Sequence, residues 1–254
     1  MTAMNRSTGD THHLMGDFAP AEVNAMILRD CTARPDQPIA IVVHAVMEQL
    51  YPKRRRAEVT GHGTTAAAGS VSATLSGERV RLRRWRAEDR DAFAAMNADP
   101  RVMEFFRSTL DRAGSDAMVA RIGTHFAEHG FGLWAIEVPG VAPFVGFAGL
   151  TVARFEAPFT PCVEIGWRFA LEHWGHGYAT EAARLALGHG FGPLGLREIV
   201  SFTSTTNHRS RAVMERLGMR RDTADDFDHP NLPEGHPLRR HVLYRLGSAS
   251  YRTE

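Results

Sequence analysis

Two spacings of apolar residues recur along the chain, and their order lays out its elements. Between Pro38 and Leu50, Ile39, Val42, Val43, Val46, Met47 and Leu50 follow the three-and-four spacing of a helix with one apolar face, with Pro38 suited to its first turn and Pro52 to a stop. A weaker stretch from Phe18 to Leu28, with Pro20 near its start, predicts a partner helix. Gly61 to Gly77 is small and polar, the composition of a flexible linker. The pattern therefore divides the chain into an N-terminal appendage over 1–74, with its amphipathic helix over 38–51 and linker over 57–74, and a globular domain over 75–247. Two helices bury little apolar surface alone, so they are expected to dock on that domain or on a second copy of the chain, which makes a homodimer a candidate assembly.

Within the domain, Glu78 to Trp85 alternates Arg79, Arg81 and Arg83 against Val80, Leu82 and Arg84, a first strand with a basic outer face. Ala87 to Ala98 reads as a helix ended by Asp99-Pro100, and a short helix is expected over Arg101 to Phe106. Ser115 is the expected cap of a further helix to His129, with Met118, Ile122 and Phe126 on one side and a Gly130-Phe131-Gly132 turn after it. Leu133 to Val138 and Phe144 to Val152 are apolar runs joined by Pro139-Gly140, a hairpin signal. Strands follow at Cys162–Ala170, Glu198–Ser204 and Arg239–Leu246, with helices from the Gly177 turn to about His189 and from Asn207 to Leu217. Two parallel strands flanking a helix inside an otherwise antiparallel order predict a mixed α/β sheet.

The turn ahead of the first of those helices is the richest stretch. His173-Trp174-Gly175-His176-Gly177-Tyr178-Ala179-Thr180 places two glycines between a strand and a helix. Glycines let backbone N–H groups turn inward, and the helix start adds unpaired N–H groups and the positive end of its dipole, a site that fits a pyrophosphate. Ala179, Ala182, Ala183 and Ala186 give that helix a small-residue face that can lie close to a sheet. Gly-X-Gly also occurs in ordinary loops, so the context has to decide.

Composition narrows the picture modestly. The chain has 254 residues, 43% hydrophobic and 23% charged, with a net charge of +1, so no global bias toward nucleic acid or acidic membranes arises. Lys53-Arg54-Arg55-Arg56 is either a nucleic-acid contact or a solvated helix end, and the second reading outweighs the first. Cys31 and Cys162 are too far apart to suggest a disulfide framework or a thiolate metal site, and no apolar run is long enough to span a membrane; a cytoplasmic location is expected.

Three ordered blocks carry a family resemblance: Glu164-Ile165-Gly166-Trp167, the turn Trp174 to Ala179 with Thr180-Glu181-Ala182 behind it, and Asn207-His208-Arg209-Ser210 running on to Gly218-Met219. Together they resemble the GNAT superfamily of N-acetyltransferases, in particular its RimJ/RimL-like branch. The resemblance runs from about Leu75 to about Gly247. It implies a mostly antiparallel twisted sheet with helices on both faces and a central parallel pair splayed around the donor. It also implies acetyl-CoA as co-substrate without a metal, and a small-molecule or peptide amine as acceptor. The pyrophosphate would be held by Trp174, Gly175, His176, Gly177, Tyr178, Ala179 and Thr180, and the pantetheine arm by the strand from Trp167 through Phe169 and Ala170 to Leu171. The sequence departs from the family pattern at Trp174, where many members have Gln or Arg, and at His176, where Arg or Lys is frequent. Backbone N–H groups then carry the phosphate recognition.

Acetyl transfer also needs a proton donor for the thiolate and a base for the amine. Ser210 shares its helical face with Val213, Met214 and Leu217, so its hydroxyl faces inward, and the resemblance implies that it protonates the thiolate. The competing reading is that Ser210 only bonds to its own helix start, capped by Asn207, which is itself half cap and half cofactor contact. Glu164 is the first candidate base, with a salt bridge to Arg168 as the alternative. Asp228 is the second, in the loop that also holds Asp225, Asp226, His229, Glu234 and His236, a stretch that reads equally as a solvated turn. The rival to an enzyme is a non-catalytic acyl-CoA-binding sensor or scaffold that keeps the turn and has lost turnover.

Overall fold

The structure, a computed structural model, describes residues 74–252. The helices expected over 18–28 and 38–51, the basic run from Lys53 and most of the linker lie outside the described residues. The described chain runs β1 (Leu75–Ser76), β2 (Arg81–Arg83), α1 (Asp89–Ala98), α2 (Arg112–His129), β3 (Leu133–Val138), β4 (Ala142–Val152) and β5 (Val163–Phe169). It continues with α3 (Tyr178–Phe191), β6 (Glu198–Ser204), α4 (His208–Arg216), β7 (Arg220–Arg221), β8 (Phe227–Asp228) and β9 (Arg240–Gly247).

The strands form one sheet in the order β1-β2-β3-β4-β5-β6-β9-β7, with β8 also beside β9. Neighbours are antiparallel except β5 and β6, as the strand–helix–strand order requires. Register between β4 and β5 is unbroken from Val163 to Phe169, whereas β5 and β6 pair only at Glu164 and Val200 before they part. The Ser201 hydroxyl, which donates to the Ile165 carbonyl at 2.9 Å, marks the last tie before the gap.

Helix α3 lies close to the sheet because its inner face is small. Ala182, Ala183 and Ala186 have no exposed surface, and a Cβ added at Gly190 would come within 2.6 Å of Ile199 Cδ1. These residues share a core with Leu150, Ile165 and Ile199, while Phe93 and Met96 of α1 pack in a second cluster with Ala135, Phe144 and Phe147.

Three expectations are corrected. Arg83 is not on a basic outer face: it is 5% exposed, makes two bonds to Asp89 at 2.7 and 2.8 Å, and reaches Glu137 at 3.1 Å. Removing the Asp89 carboxylate leaves that buried guanidinium with Glu137 as its one counter-charge among the described residues and two donors unmet, so Asp89→Ala is expected to lower stability by about 3 kcal/mol in chemical denaturation. Helix α2 is capped by Asp111, whose side chain accepts from Gly114 N, while Ser115 is buried inside the helix and accepts from Asn97 Nδ2. The segment from Arg101 to Phe106 forms turns rather than a helix, because Asp99 takes the backbone N–H and the guanidinium of Arg101 and competes with the helical pattern. No helix among the described residues is long and apolar enough to cross a membrane.

Candidate active site

The glycine turn connects β5 to α3 through a short 3-10 turn at Leu171–His173. Gly175 and Gly177 take left-handed φ values of 80° and 81°, which a side chain would strain. Gly177 caps α3 with no side-chain bond, and Glu181 N reaches back to Gly177 O at 3.2 Å. The N–H groups of Tyr178, Ala179 and Thr180 belong to the open first turn, at the positive end of a 14-residue helix. Nothing lies within 4 Å of a Cβ built at Gly175, so this is a cradle with room for a ligand.

Two side chains hold the cradle in place. Trp174 donates its Nε1 hydrogen to Phe169 O at 2.9 Å, tying the turn to the end of β5, and its ring sits 4.7 Å beneath the Arg209 guanidinium. Arg79, expected on an outer strand face, instead donates Nη1 to His176 O at 2.9 Å and Nε to Glu181 at 2.8 Å. Glu181 also accepts from the backbone N–H groups of Arg79 and Val80. The pairing joins residues 102 positions apart in the chain, so no local pattern could reveal it. The ring of His176 turns away to stack on Tyr178 at 5.4 Å, and only its carbonyl serves the turn.

A cleft of about 1350 Å³ opens from the cradle along the gap between β5 and β6. Trp167, Phe169, Trp174, Gly175, Gly177, Tyr178, Ala179, Thr180, Asn207, Ser210 and Glu164 all line it. Ala170, Leu171 and His176 do not; the Ala170 N–H is taken by Val145 O, and Ala170 and Leu171 pack against the Phe93 cluster. The same bond fixes the alternation along β5: Arg168, Gly166 and Glu164 turn their backbone groups to β4, and Trp167 and Phe169 turn theirs to the gap. Phe169 O is used by Trp174, which leaves the Trp167 N–H and C=O facing the cleft.

At the start of α4, Asn207 is a cap whose amide is fully committed. Its Oδ1 accepts from Ser210 N, and its Nδ2 donates to Thr203 Oγ1 at 2.9 Å and to Ser210 Oγ at 3.1 Å. The Ser210 hydroxyl therefore accepts one bond, and its own hydrogen has no protein acceptor among the described residues. The backbone of Ser210 serves the helix start, and its hydroxyl lies in the cleft with its hydrogen unclaimed among the described residues.

Glu164 forms no ion pair or side-chain hydrogen bond among the described residues, and the alternative of a salt bridge to Arg168 is not realised. Side chains four residues apart on one strand stand about 13 Å apart at their bases. Glu164 is half-buried, open to the cleft and enclosed by protein elsewhere, and this burial pushes its carboxyl up to about 8. Arg168 is 8% exposed and donates Nη1 to Asn97 Oδ1 at 2.6 Å, with its guanidinium 3.9 Å from the Phe106 ring centroid and 5.3 Å from that of Phe147. Its burial without a carboxylate lowers its pKa to about 10.

Asp228 does not line the cleft: it alternates with the buried Phe227 on β8, faces outward and pairs with Arg239 and Arg240. His229 and His241, from the same region, do line it, with ring centroids 5.0 Å apart. Burial lowers both, His241 to about 4, so both rings are neutral near pH 7. Burial likewise raises the Cys162 thiol to about 11, which keeps it protonated. No group of three His, Cys, Asp or Glu residues that could hold a metal occurs among the described residues.

Residues 79–220 match the family model described as the acetyltransferase (GNAT) domain. The chain belongs to the GNAT family. This GNAT chain is 32% identical over 145 residues to the uncharacterized protein YkkB of Bacillus subtilis, covering 56% of the chain and 82% of that relative. It is 33% identical over 153 residues to the FsC-acetyl coenzyme A-N(2)-transacetylase of Aspergillus fumigatus, covering 58% of the chain and 64% of that protein. Among solved structures, an acetyltransferase from Agrobacterium tumefaciens aligns with a TM-score of 0.56 at 27% identity, covering 73% of the chain and 99% of that structure. Mycobacterium smegmatis RimJ, solved in complex with CoA-disulfide, aligns with a TM-score of 0.53 over 67% of the chain and 82% of that structure, and at 23% identity speaks for the fold alone. The GNAT chain is an acyltransferase of the N-acetyltransferase type.

Proposed function

We propose that this enzyme transfers an acetyl group from acetyl-CoA to a primary amine by direct attack, with no acyl-enzyme. The observation that carries the reading is the pair of groups in one cleft: a Ser210 hydroxyl whose hydrogen meets no acceptor among the described residues, and a Glu164 carboxyl with no polar partner among them and a pKa raised to about 8. The open N–H groups of Tyr178, Ala179 and Thr180 suit the pyrophosphate, and the Trp167 backbone suits the amide-bearing pantetheine arm. Acetyl-CoA, once bound, supplies an activated thioester carbonyl.

Glu164, ionised, takes a proton from the attacking nitrogen directly or through water. Ser210 gives its hydrogen to the departing sulfur and regains one from water in the open cleft, and Asn207, by filling a lone pair of that hydroxyl, acts as its positioning residue. The Cys162 thiol, raised by burial to about 11 and not lining the cleft, is not needed in this scheme. The acetyl-CoA link in the name of the Aspergillus relative supports the choice of donor.

The test is release of free CoA thiol from acetyl-CoA across a panel of amines and peptides. Thiol release that depends on an amine is expected; tight acetyl-CoA binding with no release across the panel would instead identify a sensor or scaffold. Gly177→Val is expected to raise the acetyl-CoA dissociation constant at least about tenfold by calorimetry, because φ is +81° there and its Cβ would lie 3.3 Å from Arg79 Nη2. At saturating acetyl-CoA the same variant should keep most of its kcat.

A further inference from the structure

Arg168 is a buried cation with no counter-ion among the described residues. Its guanidinium lies over the rings of Phe106 and Phe147, and its one side-chain bond among the described residues is the donation from Nη1 to a neutral amide at Asn97. Nε is sealed from solvent with no acceptor, and Nη2 likewise has none among the described residues. The amide itself is fixed from behind, since Asn97 Nδ2 donates to the buried Ser115 hydroxyl at 3.0 Å. A guanidinium held this way keeps a charge in low dielectric and leaves most of its donors unused, an arrangement that an incoming anion relieves.

The location gives that vacancy of charge a meaning. Arg168 lines the same cleft as Glu164 and lies on the same face of β5. Phe106, whose ring lies 3.9 Å from the guanidinium, is 40% exposed and belongs to the turns after α1, so one wall of the Arg168 site is a surface side chain. The other arginines named around the cradle are already engaged, Arg79 with Glu181 and Arg209 with Glu104. Among cationic side chains, a planar guanidinium is the one matched in shape to a carboxylate.

We infer that Arg168 is the carboxylate receptor of the acceptor arm, and that the amine accepted by this enzyme carries a carboxylate several bonds from its nitrogen. The separation follows from the strand: the bases of Glu164 and Arg168 are four residues apart, about 13 Å. An amine near Glu164 with its carboxylate on Arg168 is thus an ω-amino acid or a short peptide with an acidic end, rather than a simple alkylamine. Arg168 then governs which amine is accepted and leaves the proton transfers to Glu164 and Ser210.

This inference rests on the reading of the cleft as a site of amine acetylation, and the experiment separates the two. Thiol release from acetyl-CoA is measured with a series of ω-amino acids of increasing length and with their uncharged primary amides, using the full chain and its Arg168→Met and Arg168→Lys variants. In the wild type, at least one carboxylate is expected to exceed its amide in kcat/KM by about tenfold or more, the difference lying in KM. In Arg168→Met that ratio falls to about one, with the acetyl-CoA dissociation constant unchanged; Arg168→Lys, which keeps the charge and loses the fork, retains part of it. Release with amides as fast as with carboxylates in the wild type overturns the inference and leaves the acetyltransferase reading intact. A preference that survives in Arg168→Met overturns it too, and if that variant does not fold, the wild-type ratio and the lysine variant decide. Absence of release with every amine would discard the acetyltransferase reading, and the inference with it.

Discussion

Ser210→Ala is expected to lower kcat by about 100- to 1000-fold, the range associated with a positioned proton donor, while the acetyl-CoA dissociation constant stays within about twofold. The separation follows from the bonding around the residue. The helix start depends on the backbone N–H of Ser210, which donates to Asn207 Oδ1 and survives the substitution. Cradle contacts come from Gly175 to Thr180 and are untouched. What is lost is one hydroxyl hydrogen, freed for the thiolate because Asn207 already fills a lone pair on the same oxygen. Single-turnover kinetics with calorimetry on the same protein check this, and normal turnover with a large loss of affinity would show that Ser210 holds the donor rather than protonating it.

The second large effect is a pH dependence set by Glu164. With its carboxyl raised from 4.5 to about 8, the group is mostly protonated at pH 7 and becomes a base as pH rises. With a weakly basic acceptor that is unprotonated throughout, kcat/KM should climb on an acid limb centred near pH 8. In Glu164→Gln that limb disappears and the plateau falls by about 100-fold. Stability moves oppositely. A carboxyl whose folded pKa is raised favours the folded state most below pH 4.5, and that advantage is lost as pH climbs toward about 8, because the unfolded chain ionises first. Glu164→Gln is uncharged in both states. It should therefore be more stable than the wild type at pH 8 to 9 by about 2 kcal/mol, discounted from the full shift because the carboxyl opens to the cleft, and equal to it near pH 4. Melting curves at both pH values test this, and equal melting temperatures at pH 9 would mean that the carboxyl is well solvated.

The frame of this fold is written in short-range signals. Strands β3 to β6 and β9 follow from apolar runs bounded by Gly and Pro, and α3 from the glycine turn and its alanine face, because each signal acts within a few residues. The expected mixed sheet with a central parallel pair is the sheet observed. What the pattern misplaces depends on partners distant in sequence. Arg83 resembles the surface arginines beside it until Asp89 and Glu137 close around it, and Arg79 is a cradle support only because Glu181 arrives on a helix 102 residues later. Strands β7 and β8, two residues each, are too short to leave an alternation and exist by pairing with β9. The site divides in the same way. The candidate cradle and Ser210 stand out as motifs, whereas the lack of a Glu164 partner among the described residues, the buried charge of Arg168 and the outward turn of Asp228 depend on which neighbour each side chain meets.

The single pairing between Glu164 and Val200 means that this sheet is unfinished. Beyond that point β5 presents an edge inside the molecule, a row of donors and acceptors that water serves in the free protein and that a strand would serve in a closed sheet. A pantetheine chain, with its two amides, has the dimensions and polarity of such a strand. On the proposed reading the donor acts as a removable part of the fold, so that occupancy and the cohesion of the two halves of the sheet rise and fall together.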